Sequence, residues 1–350
     1  MRVGMPLEYS GGFRETVADL VEYESAGLQI VFVPEAYSFD AVSQLGFIAA
    51  RTRTVEIASG IMQLFTRTPT LTAMTAAGLD HVSGGRFTLG IGASGPQVIE
   101  GFHGVPYDAP LGRTREVVEI CRQVWRREKV SFSGRYYQIP LPADRGTGLG
   151  KPLRLINHPV RADIPIMIAA IGQRNVALAA ELADAWEPLF YLPERAADMW
   201  GDALARGTAA RSPNLRPLDV VAGAHLAIGD VDDLLHVARQ QAALYIGGMG
   251  ARGRNFYNDL AVRYGYEREA ATIQDLYLSG RKEEAAAAVP DDLVRSTNLI
   301  GPRETIAERL TALAAAGVTT LNLTPVAPER AQRIRDIALV REMVGEIAEA

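Results

Sequence analysis

Short runs of Val, Ile and Leu recur along the chain, separated by longer stretches whose apolar residues return every three or four positions. The runs fall at 3–7, 29–34, 55–61, 86–92, 164–170, 185–190, 219–228 and 319–325. Apolar runs this short predict strands buried on both faces, and the helical stretches between them predict crossover connections in a parallel sheet. The helices carry their own punctuation. "RETVADLVEYESAG" ends on Gly27, "PTLTAMTAAGLDHVSGG" opens on a proline and stops at paired glycines, and "PRETIAERLTALAAAG" does both. Eight strands alternating with helices predict an α/β protein, a (β/α)8 TIM barrel, forming one domain over 1–350. Two insertions, about 131–163 and 240–300, exceed ordinary connections and are expected to project from the carboxyl face, where barrel active sites are built.

One strand breaks the pattern. In "VEIASGIM" the run is interrupted by Ser59 and Gly60 before apolar residues resume, and glycine within a strand marks a bulge or a close approach by backbone or ligand. Small residues also end two other strands, in "GIGASGPQ" and "AAIGQRN". Three such ends on one face suggest a large flat ligand lying across the barrel mouth. The helix that starts after "AAIG" can offer its free amides to a phosphate.

Composition narrows the chemistry by exclusion. A net charge of -5 with scattered arginines gives no footprint for nucleic acid. No apolar run reaches the ~18 residues needed to span a bilayer, and the amino terminus lacks a leader pattern, so the expected setting is cytoplasmic. The lone Cys121 sits at helical apolar spacing and reads as a core thiol. The five histidines are isolated, and no metal site is expected.

Three segments, "LDHVSGGRFTLGIGASGPQVIEGFHG", "RADIPIMIAAIGQRNVALAAELADAW" and "YIGGMGARGRNFYNDLAVRYGY", make the chain recognisable. It resembles the luciferase-like superfamily of flavin and deazaflavin barrels, in particular the coenzyme F420-dependent oxidoreductases related to methylenetetrahydromethanopterin reductase. The resemblance implies a cis peptide at Gly60–Ile61 pressing on the back of a deazaflavin ring, with Ser59 orienting the linkage. It implies Gly92, Ala93 and Ser94 beside the ring edge and ribityl chain, and Ala169, Ala170, Gly172 and Gln173 around the phosphodiester. Ile171 stands where relatives often carry a second glycine. Glu35 would lie near the pyrimidine-like end of the ring as the first candidate proton donor, with Glu100 the second. The alternatives are that Glu35 satisfies neighbouring amides or an arginine, and that Glu100 braces its loop. Where F420-dependent sugar-phosphate dehydrogenases have a histidine and an acid, this chain has Ala36 and Pro96, so that substrate is not expected.

Tyr9, Tyr37, Phe65, Phe190, Tyr191 and Phe256 are candidate walls of a substrate pocket, although any one such aromatic is more often core or rim. Lys151 and Arg154 would meet a substrate or an anionic cofactor tail, or simply be solvated. The implied activity is hydride transfer between F420 and an unsaturated or imine-like small molecule. The competing readings are an FMN-dependent monooxygenase fed by a separate reductase, and a non-catalytic cofactor-binding barrel. A homodimer is the expected assembly, with no macromolecular partner beyond such a reductase.

Overall fold

The computed structural model describes residues 1–7 and 12–349; Tyr9 lies outside them. Eight parallel strands close on themselves: β1 (Arg2–Pro6), β2 (Ile30–Val33), β3 (Glu56–Ser59), β4 (Phe87–Gly92), β5 (Ile166–Ala169), β6 (Ala185–Glu187), β7 (Asp219–Ile228) and β8 (Thr320–Pro325). Pairing runs in that order, and β8 returns to β1 through Arg2↔Thr320, Val3↔Leu321 and Gly4↔Asn322. These are the eight runs expected from the sequence. Eight helices form the outer ring: α1 (Phe13–Ser25), α2 (Ala41–Arg51), α3 (Pro69–Ser83), α4 (Pro110–Trp125), α5 (Gln173–Leu182), α6 (Pro193–Ala210), α7 (Arg303–Ala315) and α8 (Arg330–Glu349). Each packs against the next around the ring.

The interior of the barrel is layered. At the amino end Arg2 pairs with Glu56 at 2.9 Å and with Asp219, so one guanidinium ties β1, β3 and β7 together. Above it lies an apolar layer of Ile30, Phe32, Ala58, Met167, Ala185 and Val221, with Ile61 packed against it. Beyond that layer Ile61, Ala169, Glu187, Gly223 and Asn322 are half-buried, so the interior opens toward the carboxyl face. The larger core, including Cys121 and all three tryptophans, fills the space between strands and helices, as close packing of strands buried on both faces requires.

The interruption at Ser59–Gly60 is a bulge. Ala58 pairs with Thr88 and the two-residue strand Met62–Gln63 resumes at Met62↔Ile91, so four steps on one side oppose three on the other. The Gly60–Ile61 peptide is cis. Ser59 is fully buried, and its Oγ donates to Gly90 O at 2.8 Å and accepts from Gly90 N at 2.9 Å, replacing the lost ladder contacts. A Cβ on Gly90 would lie 1.8 Å from Ser59 O. This site therefore requires glycine because the two backbones touch.

The insertions differ from expectation in one respect. The 240–300 segment lies within the connection from β7 to α7 and so rises from the carboxyl face, as expected. The 131–163 segment connects the end of α4 to the start of β5, which places both its ends on the amino face. Its hairpin, Phe132–Ser133 with Gln138–Ile139, climbs back along α4: Glu116 accepts from the amides of Arg135, Tyr136 and Tyr137, and Arg113 in the first turn lies over the Tyr136 and Tyr137 rings. The rest returns to the amino side, where Val130 N donates to Leu153 O and Arg127 to Leu155 O. Lys151 and Arg154 are exposed there, away from the mouth.

Candidate active site

Among the described residues, three of the five non-glycine residues with positive φ follow barrel strands: Ala36 after β2 (φ 42°), Ser94 after β4 (58°) and Phe190 after β6 (50°). Such conformations cost free energy and persist where the surroundings fix them, commonly around functional sites. All three surround the carboxyl-end mouth.

The wall expected to receive a ring is continuous. A Cβ on Gly92 would come within 3.0 Å of Ile61 Cδ1 and 3.7 Å of Ala169 Cβ, so the missing side chain leaves a smooth surface between Ile61 and Ala169. Gly60 is backed by Phe32, whose Cβ would lie 2.8 Å from an added Cβ. Ala93 and Ser94 are half-buried at the rim, with Ser94 O accepting from the Tyr107 hydroxyl. Of the four residues expected around a phosphodiester, Ala170 is already committed: its amide donates to Glu187 O and its carbonyl accepts from Trp186 Nε1. The side chain of Gln173 is turned away to Met199 O. What remains open is Gly172 and the first turn of α5. No side chain caps that turn, and a Cβ on Gly172 would meet nothing within 4 Å. The first amides of a helix lack intrahelical partners, and the helix dipole favours an anion there.

Both carboxylates chosen from the sequence have hydrogen-bond partners within the protein. Glu35 is buried, and both its oxygens accept from Arg67, at 2.8 and 2.6 Å. It also caps Ala41 N at 3.3 Å, while Arg67 reaches on to Asp40 at 2.7 Å. The bidentate geometry holds the β2–α2 turn to the segment before α3 and commits both Glu35 oxygens to Arg67. Glu100 is exposed and accepts from Tyr107 N at 3.2 Å, bracing its loop. In both cases the structural alternative is the observed arrangement.

The aromatic candidates separate similarly. Phe65 packs at a tilt against Tyr107 at 5.1 Å and Phe190 meets Tyr245 edge-on at 5.8 Å, both beside the mouth. Tyr37 and Phe256 are exposed. Tyr191 lies away from the mouth. It stacks on Trp200 on the helix side of β6, and its hydroxyl donates to Ala316 O at 2.8 Å.

Sequence reasoning missed three polar residues that face the mouth. Gln63 is buried on the short strand after the bulge, donates to Ala36 O, and keeps Oε1 without a donor. Glu187 ends β6 and accepts from Asn322 Nδ2 at 2.8 Å, while Asn322 Oδ1 is buried and unpartnered. Burial pushes the Glu187 carboxyl up to about 7, against the opposing effect of that hydrogen bond. The "WEP" tripeptide was the available signal: a carboxylate inside an apolar strand run is costly unless it has a role. Among the described residues no group of acidic, His and Cys side chains could hold a metal, and no helix is long and apolar enough to cross a membrane.

A strand-end cradle of this form on a closed barrel defines a luciferase-like enzyme class. The family model described as luciferase-like monooxygenase matches residues 1–320, and the chain belongs to that family. It is 42% identical to a Mycobacterium tuberculosis protein provisionally named a coenzyme F420-dependent oxidoreductase, over 97% of this chain and 98% of the relative. It is 28% identical to 5,10-methylenetetrahydromethanopterin reductase of Archaeoglobus fulgidus, over 89% and 90% of the two chains. Among solved structures, the coenzyme F420-dependent tetrahydromethanopterin reductase of Methanopyrus kandleri superposes with a TM-score of 0.81 at 21% identity, covering 99% of this chain and 98% of that one. An F420-dependent secondary alcohol dehydrogenase superposes at 0.76 and 17% identity, covering 98% of each chain. At those identities the structural matches speak for the fold.

Proposed function

We propose that this protein is an F420-dependent oxidoreductase that moves a hydride between the deazaflavin and a polarised double bond of a small molecule, unsaturated or imine-like, in either direction. The observation that carries the reading is the cradle itself: a smooth wall of Ile61, Gly92 and Ala169 ending at the uncapped first turn of α5. The wall suits the face of a planar ring, and the helix terminus suits the phosphodiester of its tail. The two orphan acceptors, Gln63 Oε1 and Asn322 Oδ1, suit a ligand bearing N–H donors, as a pyrimidine-like ring edge does. The relative at 42% identity supports F420 as the cofactor.

When bound, the cofactor supplies the reactive carbon and both electrons. The protein supplies orientation and exclusion of water. Gly92 and Ala169 would let the ring approach, Ile61 would back it, the α5 amides would hold the tail, and the 240–300 segment, which meets Phe190 through Tyr245, would cover the opening. The family's description as a luciferase-like monooxygenase favours, as the second reading, the monooxygenase for which FMN is the expected cofactor. Parallel fluorescence titrations with F420 and FMN decide between them: tighter binding of F420 is expected, and tighter binding of FMN overturns the reading.

A further inference from the structure

Among the described residues Glu187 is an ionisable side chain at the level of this wall that has no charged partner. Side chains alternate along a strand. Trp186 points outward into the aromatic cluster with Tyr191 and Trp200, so Glu187 points inward, as does Ala185 in the apolar layer below. It pairs in register with Ala169, the residue that closes the wall beside Gly92. Its one hydrogen-bond donor among the described residues is Asn322, and its Oε2 accepts none. We propose that Glu187, held by Asn322, exchanges a proton with the substrate during the hydride transfer, an inference that rests on the function proposed above.

Among the described residues the other carboxylates at the mouth have partners, and His103, whose Nε2 is buried without one, lies on the loop after β4 against the Phe102 ring. Glu35 and Asp40 are bound to Arg67, and Glu100 to Tyr107 N. From β5, β7 and β8 the side chains on the same inner face are Ala169, Gly223 and Asn322, none ionisable; His225, further along β7, bonds Asn298 at 2.9 Å. From the covering segment the titratable neighbour is Tyr245, whose phenol is pushed up by burial and then by the Glu187 charge. Tyr245 therefore stays a neutral hydroxyl over the site. Asn322 Oδ1, buried without a donor, supplies a second fixed polar atom for a substrate N–H or O–H.

The chemistry balances. Reduction of a C=O or C=N bond consumes one hydride, brought with both electrons by the reduced deazaflavin, which is left oxidised. It also consumes one proton, passed from the Glu187 carboxyl to the oxygen or nitrogen as the π bond breaks. The carboxylate then regains a proton from water. In the reverse direction the carboxylate accepts the hydroxyl or amine proton. Burial brings the carboxyl to about 7, so both forms are present near neutral pH, which suits an acid that must also recover.

The test follows the carbon-13 resonance of the Glu187 carboxyl, assigned by its loss in Glu187→Gln, against pH with and without F420. The expected midpoint without cofactor is about 7, it moves when F420 binds, and Asn322→Leu raises it further because the hydrogen bond that favours the charged form is gone. An ordinary carboxylate midpoint, or one that bound F420 leaves unmoved, overturns the proposal whether or not turnover is seen. With reduced F420 and 2-cyclohexenone, acetone or 1-pyrroline as probes, Glu187→Gln should slow any wild-type turnover by roughly 10² to 10⁴-fold at unaltered F420 affinity; unchanged turnover also overturns it. Failure of the wild type to bind F420 overturns the parent function, whereas normal binding with an unresponsive Glu187 overturns this role alone.

Discussion

A carboxylate's role is set by what surrounds it, and Glu35 and Glu187 show the two outcomes within one barrel mouth. Glu35 is a packed ion partner. Replacing it with glutamine removes a charge from a buried bidentate pair and leaves Arg67 with Asp40 alone, so Glu35→Gln should lower folding stability by about 1–3 kcal/mol, read by urea unfolding. Unaltered stability would mean the pair is incidental. Glu187 has the opposite character. Its carboxyl moves from an ordinary value of 4.5 to about 7 on folding, so between those values the folded state holds more protons than the unfolded one. The stability this group contributes is complete below about pH 4.5 and is lost as pH rises through about 7. Glu187→Gln removes that loss. In cofactor-free protein the variant should gain on the wild type by about 1–3 kcal/mol between pH 5 and 8, and a constant difference across that range would show that the carboxyl is not displaced.

At the scale of the element, the first turn of α5 separates cofactor binding from folding. Gly172 is its N-cap, with φ -71° and ψ 143°, no side-chain cap and open space where a Cβ would stand. Aspartate is a strong N-cap, so Gly172→Asp should leave the apo protein as stable or raise its stability by a few tenths of a kcal/mol. The same carboxylate occupies the amides and repels an anionic tail, so F420 affinity should fall at least ~10-fold, the effect of about 1.4 kcal/mol. Equal affinity in calorimetric titration would move the phosphodiester elsewhere. The bulge after β3 is built by the opposite economy of space: Gly90 and Ser59 touch, and no side chain fits between them.

For the whole molecule, the two faces of the barrel divide the labour. Asp80, fully buried at the end of α3, is paired by Arg161 from the long 131–163 excursion, and it also receives Phe87 N. Arg86, in the "SGGRFTLGIG" motif, donates to Val55 O, Ala49 O and Thr52 O. These contacts lie on the amino side and fasten helices to strands. Arg161→Ala leaves a buried carboxylate unpaired and should cost about 3 kcal/mol of stability with little change in F420 affinity. Loss of affinity at preserved stability would place the excursion at the mouth after all.

How much was legible in the sequence follows from what each feature depends on. The eight strands, their helices and the bulge at Ser59–Gly60 were readable, because strand burial writes itself as apolar runs and helix ends as Pro and Gly. Small residues at strand ends were readable as a cradle for the same local reason. The partners of charged groups were not. Arg67 reaches Glu35 across 32 positions, and Asn322 reaches Glu187 across 135, and no local pattern encodes such meetings. Chain composition likewise could not tell that the 131–163 segment starts and ends on the amino face; the order helix, loop, strand fixes that once the barrel closes. The sequence by itself determined where the chain is buried and where it turns. Tertiary closure decided which carboxylate is neutralised by an arginine and which stands nearly alone over an apolar layer, because desolvation and charge pairing depend on neighbours that only the closed barrel brings together.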